Sequence, residues 1–397
     1  MKRNIDWIDN EIIYQIMVDR FNGDWKKHEN GNHFMGGTLK GIIEKLDYIK
    51  DMGATAIWLS PVSYTVNYHG YHITDFMNID SHFGTMKDFD SLIETTHQKG
   101  MKIIIDFVPN HCSIEHPYFK DAINNKVSKF RKWFYINDKN NTYRSFLQYK
   151  ELAKINLDNQ HAAEYMIDVA RFYCNKGIDG LRIDHVVGPS FDFWKKAINT
   201  LSNEFPNKIF FGEIWSQGIQ RKYFNTLHFK SIIRKIRYYL FSINQESWQR
   251  DYIGVLDGAL DFKYRDILLE EIEKGHRILN NKYLEKKVIR HFSKYPNNYK
   301  LLLFLDNHDT DRFLYSCKGD LSLLEEAIKF SLKWGKAFII YYGTEQCMMN
   351  KETILSGKAY ADLSVRDCMD WNKKPEDTLY LKLKKWLNTV PGNSHNS

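Results

Sequence analysis

Apolar and polar positions follow two periods along this chain, and the two alternate. Glu11–Val18 (E-I-I-Y-Q-I-M-V) is a nearly continuous apolar run of strand length. In Leu39–Met52 the apolar residues Leu39, Ile42, Ile43, Leu46 and Ile49 keep helical spacing, and Gly53 stands where a C-cap needs a left-handed residue. Thr55–Leu59 is a second strand, stopped by Ser60-Pro61. Asp88–Lys99 is a helix closed by Gly100, and Met101–Val108 a third strand stopped by Pro109. Asp19–Gly37 between them is polar and glycine-rich, and reads as a loop. Continuous apolar strands alternating with amphipathic helices predict a parallel sheet covered on both faces.

The rhythm breaks once. Asp106 on the third strand and Asp184 on the fourth are 78 residues apart, against roughly 45 for the first two steps. The stretch 110–159, rich in Asn, Lys and Tyr and without a clear period, reads as an inserted domain. After it come a helix at Ala162–Asn175 and strands at Gly180–Asp184, Lys208–Ile214, Gly258–Phe262, Leu301–Asp306 and Ala337–Tyr342. Thr378–Leu387 is the last helix, and Asn388–Ser397 a polar tail. Eight strands with intervening helices predict a (β/α)8 TIM barrel, an α/β fold. Its parts are a first barrel segment (1–109), the insertion (110–159) and a second barrel segment (160–397). An open doubly wound sheet would need a glycine-rich phosphate loop after strand one, and none is present.

At 397 residues the chain fits one such barrel with an insertion, and its 43% apolar and 26% charged residues are those of a globular protein. The net charge is +7, but Lys and Arg are scattered along helices such as Ser231–Tyr239, which reads as a solvated face and not a nucleic-acid surface. Five cysteines without tight spacing make neither a disulfide framework nor a zinc site. The N-terminus has no apolar signal core, and no run of about 18 apolar residues follows, so a cytoplasmic protein without a membrane anchor is expected. A monomer or small homo-oligomer is expected as well.

The informative polar residues recur at one place. Asp106, Asp184, Glu213 and Asp309 each fall at or just past the C-terminal end of a strand, accompanied by His111, Arg182 and His308. In a barrel those ends converge on one mouth. Clustered carboxylates repel each other, which a purely structural site would avoid. In Gly180-Leu181-Arg182-Ile183-Asp184 the guanidinium and the carboxylate share a strand face, which keeps the carboxylate ionised and aimed. Two carboxylates across a glycosidic bond are what its hydrolysis requires.

Five segments resemble the α-amylase family of retaining glycoside hydrolases: Asp106-Phe107-Val108-Pro109-Asn110-His111, Gly180–Asp184, Gly212-Glu213-Ile214-Trp215, Phe304–Asp309, and Tyr68-His69-Gly70-Tyr71. Lys45–Ile49 and Ala56–Pro61 are similar to family sequence too, and the resemblance runs from about Ile12 to Trp371. It implies Asp184 as nucleophile, Glu213 as acid/base and Asp309 as the carboxylate favouring the transition state. It implies His69, His111 and His308 on the sugar's hydroxyls, Tyr71 stacked beneath it, Arg182 holding Asp184 ionised, Asp106 as a brace and Trp215 toward the leaving group. The substrate class implied is α-1,4-linked maltooligosaccharides. Alternatives are a cyclodextrin- or maltose-releasing enzyme, a glucanotransferase, a trehalose-type hydrolase and, remotely, a non-catalytic binding relative.

The departures bear on metal and domains. Family members often carry Lys-His where this chain has Val187 and Gly188, and a calcium-binding Asp where Leu152-Ala153-Lys154-Ile155-Asn156 places Asn156. No cofactor is therefore expected; calcium is the weaker alternative, with Asn110, Asn22 and Asp24 as its candidates. With the eighth strand ending near Gly343, the β-sandwich domain that usually follows the barrel in the family is not expected here.

Overall fold

In the computed structural model the described residues are 3–24, 33–217, 219–356, 358 and 361–390. Residues 25–32 of the loop read at Asp19–Gly37, and 391–397 of the polar tail, lie outside them. Eight parallel strands close into a barrel: β1 (Ile12–Ile16), β2 (Ala56–Leu59), β3 (Lys102–Phe107), β4 (Gly180–Ile183), β5 (Ile209–Gly212), β6 (Gly258–Leu260), β7 (Lys300–Phe304) and β8 (Phe338–Tyr341). The hydrogen-bonded order is β1-β8-β7-β6-β5-β4-β3-β2. Ile13 pairs with Ala56 and Ile339, and Arg182 pairs with Phe211. Nearly every strand residue is buried, as expected of a sheet covered on both faces.

The helices begin and end where local chemistry dictates. Thr38 accepts from Gly41 N at the start of Leu39–Met52, and Gly53 closes that helix at φ 107°. Thr85 and Asp88 form a reciprocal capping box on Met86–Gln98. One reading is corrected at the first loop. Val18–Phe21 is a short helix with Asp19 and Arg20 fully buried, because the Asp19 carboxylate takes the backbone N–H groups of Met35 and Gly36.

The chain divides into two compact units. One comprises Met1–Ile5, Pro61–Asp80 and Ile105–Ala259; the other Asp6–Ser60, Ser81–Ile104 and Leu260–Ser397. The first holds a three-stranded antiparallel sheet of His111–Ser113, Tyr149–Lys154 and Ser145–Phe146, together with a helix at Pro117–Asn124. Among the described residues no helix is long and apolar enough to cross a membrane.

Candidate active site

Within the first unit the ladder between β3, β4 and β5 continues one residue past the strands. Asp184 N donates to Phe107 O (2.9 Å), and Glu213 N to Ile183 O (2.8 Å). Each carboxylate is thus fixed by main-chain geometry at a strand end. Between them lies Arg182, whose side chain is wholly buried. Its Nη1 donates to Asp184 Oδ1 at 3.0 Å and stands 3.3 Å from Asp106 Oδ1, while Nη2 is 2.7 Å from Glu213 Oε1. Burial opposes the charge, but Asp106, Glu213 and Asp184 together outweigh it and hold the guanidinium well above its usual range. One permanent cation therefore serves three carboxylates. Glu213 Oε2 also accepts from His185 N at 3.2 Å, a contact that needs His185 at φ 43°. A more apolar surrounding for Glu213, natural for a proton donor, is not what the structure provides: its carboxylate faces two donors.

Tyr71 extends this group, its hydroxyl donating to Asp106 Oδ2. The turn carrying it depends on Gly70 at φ 87°, where a Cβ would lie 2.3 Å from Pro61 O. His69 Nδ1 accepts from Tyr71 N (3.1 Å), and the two rings pack 5.7 Å apart. His111 stacks on Phe146 at 4.5 Å, and Phe146 meets the edge of His185 at 4.6 Å. Burial, reinforced by His72 and Lys154, pushes His111 down to about 3, and burial with Lys154, His111 and Arg182 drives His185 well below its usual value. Both rings are neutral at physiological pH. Trp215 is half-buried after β5.

Lys154, on the strand Tyr149–Lys154, is a buried donor that no sequence pattern marks. Its buried Nζ donates to Asn110 Oδ1 and to Gly188 O, each at 2.8 Å. Gly188 must be glycine, since a Cβ would come within 2.0 Å of Asn110 Oδ1. Burial pushes Lys154 down to about 7, with Asp158 opposing and Arg144 assisting. The oxygens that a calcium ion could take from Asn110 and Gly188 are thus already bonded to the Lys154 amine, and a hard cation takes six to eight oxygens, carboxylates among them. Asn22 and Asp24 follow the short helix Val18–Phe21, and Asp24 N is tied to Met35 O at 2.8 Å. Among the described residues no group of three or more His, Cys, Asp or Glu could hold a metal.

The second unit carries Asp309, five residues past β7. His308 Nε2 lies 2.9 Å from Asp309 Oδ2, and Arg366 Nη2 lies 2.8 Å from Asp309 Oδ1. Gln15 Nε2 on β1 meets His308 Nδ1 at 2.8 Å, which leaves the other ring nitrogen to donate to Asp309. Arg366 Nε also donates to His308 O at 2.9 Å, and its Nη1 pairs with Asp362.

The model of the α-amylase catalytic domain matches residues 15–395. This chain belongs to the α-amylase family. It is 34% identical over 375 residues to alpha-amylase 2 of Dictyoglomus thermophilum, covering 94% of this chain and 61% of that protein. It is 27% identical over 401 residues to an intracellular maltogenic amylase of Bacillus subtilis, covering 96% and 61%. Among solved structures, the α-amylase of Geobacillus thermoleovorans complexed with acarbose aligns at 29% identity and TM-score 0.73, over 97% of this chain and 79% of that one. The chain spans about three-fifths of the length of the curated relatives it matches. Lys154 lies in the quoted segment Leu152–Asn156, but no period or spacing marks a lysine as a buried donor, and none marks His185 or Arg366 as a carboxylate's partner.

Proposed function

We propose that this chain is a retaining glycosidase acting on α-1,4-linked glucans. The observation carrying the reading is Arg182, buried and paired with Asp184 and Glu213 at the ends of neighbouring strands. In the proposed reaction Asp184 attacks the anomeric carbon while the bond to the leaving oxygen breaks. Glu213, entering protonated, gives that oxygen its proton. Glu213 then takes a proton from water, whose oxygen displaces Asp184 from the covalent glycosyl-enzyme. Arg182 holds both carboxylates in position. Asp309, aimed by Arg366 and His308, serves the positively charged transition state. Tyr71, His69 and His111 serve the reacting sugar, with Asp106 bracing Tyr71 and Arg182 and with Trp215 toward the leaving group. Lys154 supports a reading without calcium.

Relatives named maltogenic amylase and cyclomaltodextrinase favour a second reading within the class, a maltose-releasing enzyme or one acting on cyclic maltodextrins. A cytoplasmic setting fits five free thiols and a relative named intracellular. The test is a product profile on maltoheptaose, cyclodextrin, pullulan and trehalose, with NMR of the first sugar released. An α-anomer from maltoheptaose supports the proposal. No turnover on any of the four, or a β-anomer first, overturns it.

A further inference from the structure

The segment from Ile214 to Gln245 holds six lysines and arginines and no aspartate or glutamate. Within it, Ile232–Phe241 is a ten-residue helix capped by Ser231, whose side chain accepts from Arg234 N. Its scattered Lys and Arg predict a charged, solvated face. The face is solvated, but most of it is apolar. Tyr238 is the buried residue of the helix, packed near Phe229 and Trp248. Arg234 faces the protein as well, 3.0 Å from Asp251 and donating to Ser247 at 2.6 Å. Ile232, Ile233, Ile236, Tyr239, Leu240 and Phe241 are left between 52% and 75% exposed. Six large apolar side chains on one ten-residue helix exceed the scattered apolar exposure of a solvated surface.

Charge decides what covers them. Arg237 on the helix, and Arg221, Lys222 and Lys230 before it, are exposed, and Arg221 lies over the Tyr239 ring at 5.5 Å. A second copy docking by the same face would bring these cations against their own counterparts, with no acid in the segment to neutralise them. A glucan would find no hydrogen-bonding group on Ile232, Ile233, Ile236 or Leu240. An apolar helical face rimmed by Lys and Arg, with Tyr and Phe at its edge, matches the interface of an anionic bilayer. There the apolar side chains enter the acyl boundary and the cations meet the headgroups. We propose that the Ile232–Phe241 helix docks the protein peripherally on an anionic lipid surface.

The test is co-sedimentation of the full chain with vesicles of phosphatidylcholine alone and of phosphatidylcholine with phosphatidylglycerol, at low and high salt. The expected result is binding to the anionic vesicles, at least roughly tenfold weaker in high salt or with neutral vesicles. An Ile236→Glu/Leu240→Glu double variant should lose that binding while keeping its melting temperature and its turnover of maltooligosaccharide. Equal sedimentation with both vesicle types overturns the proposal. So does anionic binding that survives the double substitution, since charge alone would then act. Light scattering that shows a dimer abolished by the same substitutions, with no vesicle binding, would assign the face to a second copy instead.

Discussion

The carboxylates around Arg182 and the carboxylate at Asp309 solve opposite problems. In the first group three acids share one cation, all nearly buried. In the second a single acid, more than a quarter exposed, is held by two donors, His308 and Arg366. The first arrangement leaves an excess of negative charge, so it can accept a proton and receive an electron-poor carbon. The second is electrically satisfied, which suits a group that orients and stabilises without forming a bond. The difference teaches that a carboxylate's role follows from how many cations it must share, more than from its place at a strand end.

The largest effects should therefore fall on the crowded group. Glu213→Gln keeps the shape but cannot carry a proton, and should lower turnover by about 10²–10⁴-fold or more. Asp184→Ala should abolish it, and a fluorosugar trap should label the peptide 180–188 in the unaltered protein. Near-normal turnover in either variant on maltoheptaose, measured at saturation, would break the assignment. Arg182→Met tests the shared cation itself. It leaves three buried carboxylates uncompensated and should destabilise the fold by about 3–5 kcal/mol, read from urea unfolding.

Arg366→Ala is the counterpart in the second group. Asp309 keeps His308 and remains partly solvated, but Arg366 is itself buried and also holds Asp362 and His308 O, so a loss of about 1–3 kcal/mol is expected, smaller than for Arg182→Met. The effect should appear in kcat, a loss of about ten- to a hundredfold, with KM little altered, because only the aim of the carboxylate is relaxed. A change confined to KM would make Arg366 a ground-state binding residue. A melting temperature lowered as far as in Arg182→Met would erase the contrast between the two groups.

How each group could be read from sequence follows the same line. Strands β1 to β8 were legible because buried parallel strands are continuous apolar runs. Asp106, Asp184, Glu213 and Asp309 stood out only as a group, since one acid at a strand end is commonplace: Asp306, which ends the seventh apolar run, is a structural acceptor for Phe313 N. Arg366 was not legible. It follows β8 by 25 residues in irregular chain, and nothing local marks it as Asp309's partner. Lys154 sat in plain view in L-A-K-I-N, but a lysine on a short strand normally points to solvent. Only the fold brings Asn110 and Gly188 to it. The Ile232–Phe241 helix misled because its composition is mixed, and composition does not say which face turns inward.

The two regions should also differ in acid. His111 at about 3, His116 at about 4 and His185, well below its usual value, are all neutral by burial, and all belong to the first unit. Unfolded, each would take up a proton below about pH 6.5. Their folded pKa values are depressed, so stability is full above about 6.5 and falls as pH drops toward 3, by up to ~1.4 kcal/mol per pH unit for each ring. His116→Gln, outside the carboxylate group, should flatten the fall of melting temperature between pH 6.5 and 5. An unchanged slope would remove burial of this ring as its cause.

The smallest expected effect sharpens the comparison most. In both groups the positive charge comes from a side chain, Arg182 and Arg366; beside Asn110 the donor is the Lys154 amine, which burial pushes down to about 7. A covalently attached group cannot be chelated, and the Lys154 amine already bonds the Asn110 and Gly188 oxygens. Lys154 Nζ holds two neutral oxygens at 2.8 Å, where an added ion would have to displace it without a carboxylate in return. A metal bound to the native state would raise the melting temperature by mass action, and its removal would lower it. EDTA should therefore leave both melting temperature and turnover unchanged, and added calcium should restore nothing. A drop of many degrees in EDTA, reversed by calcium, would mean that a metal shares the work assigned here to Lys154.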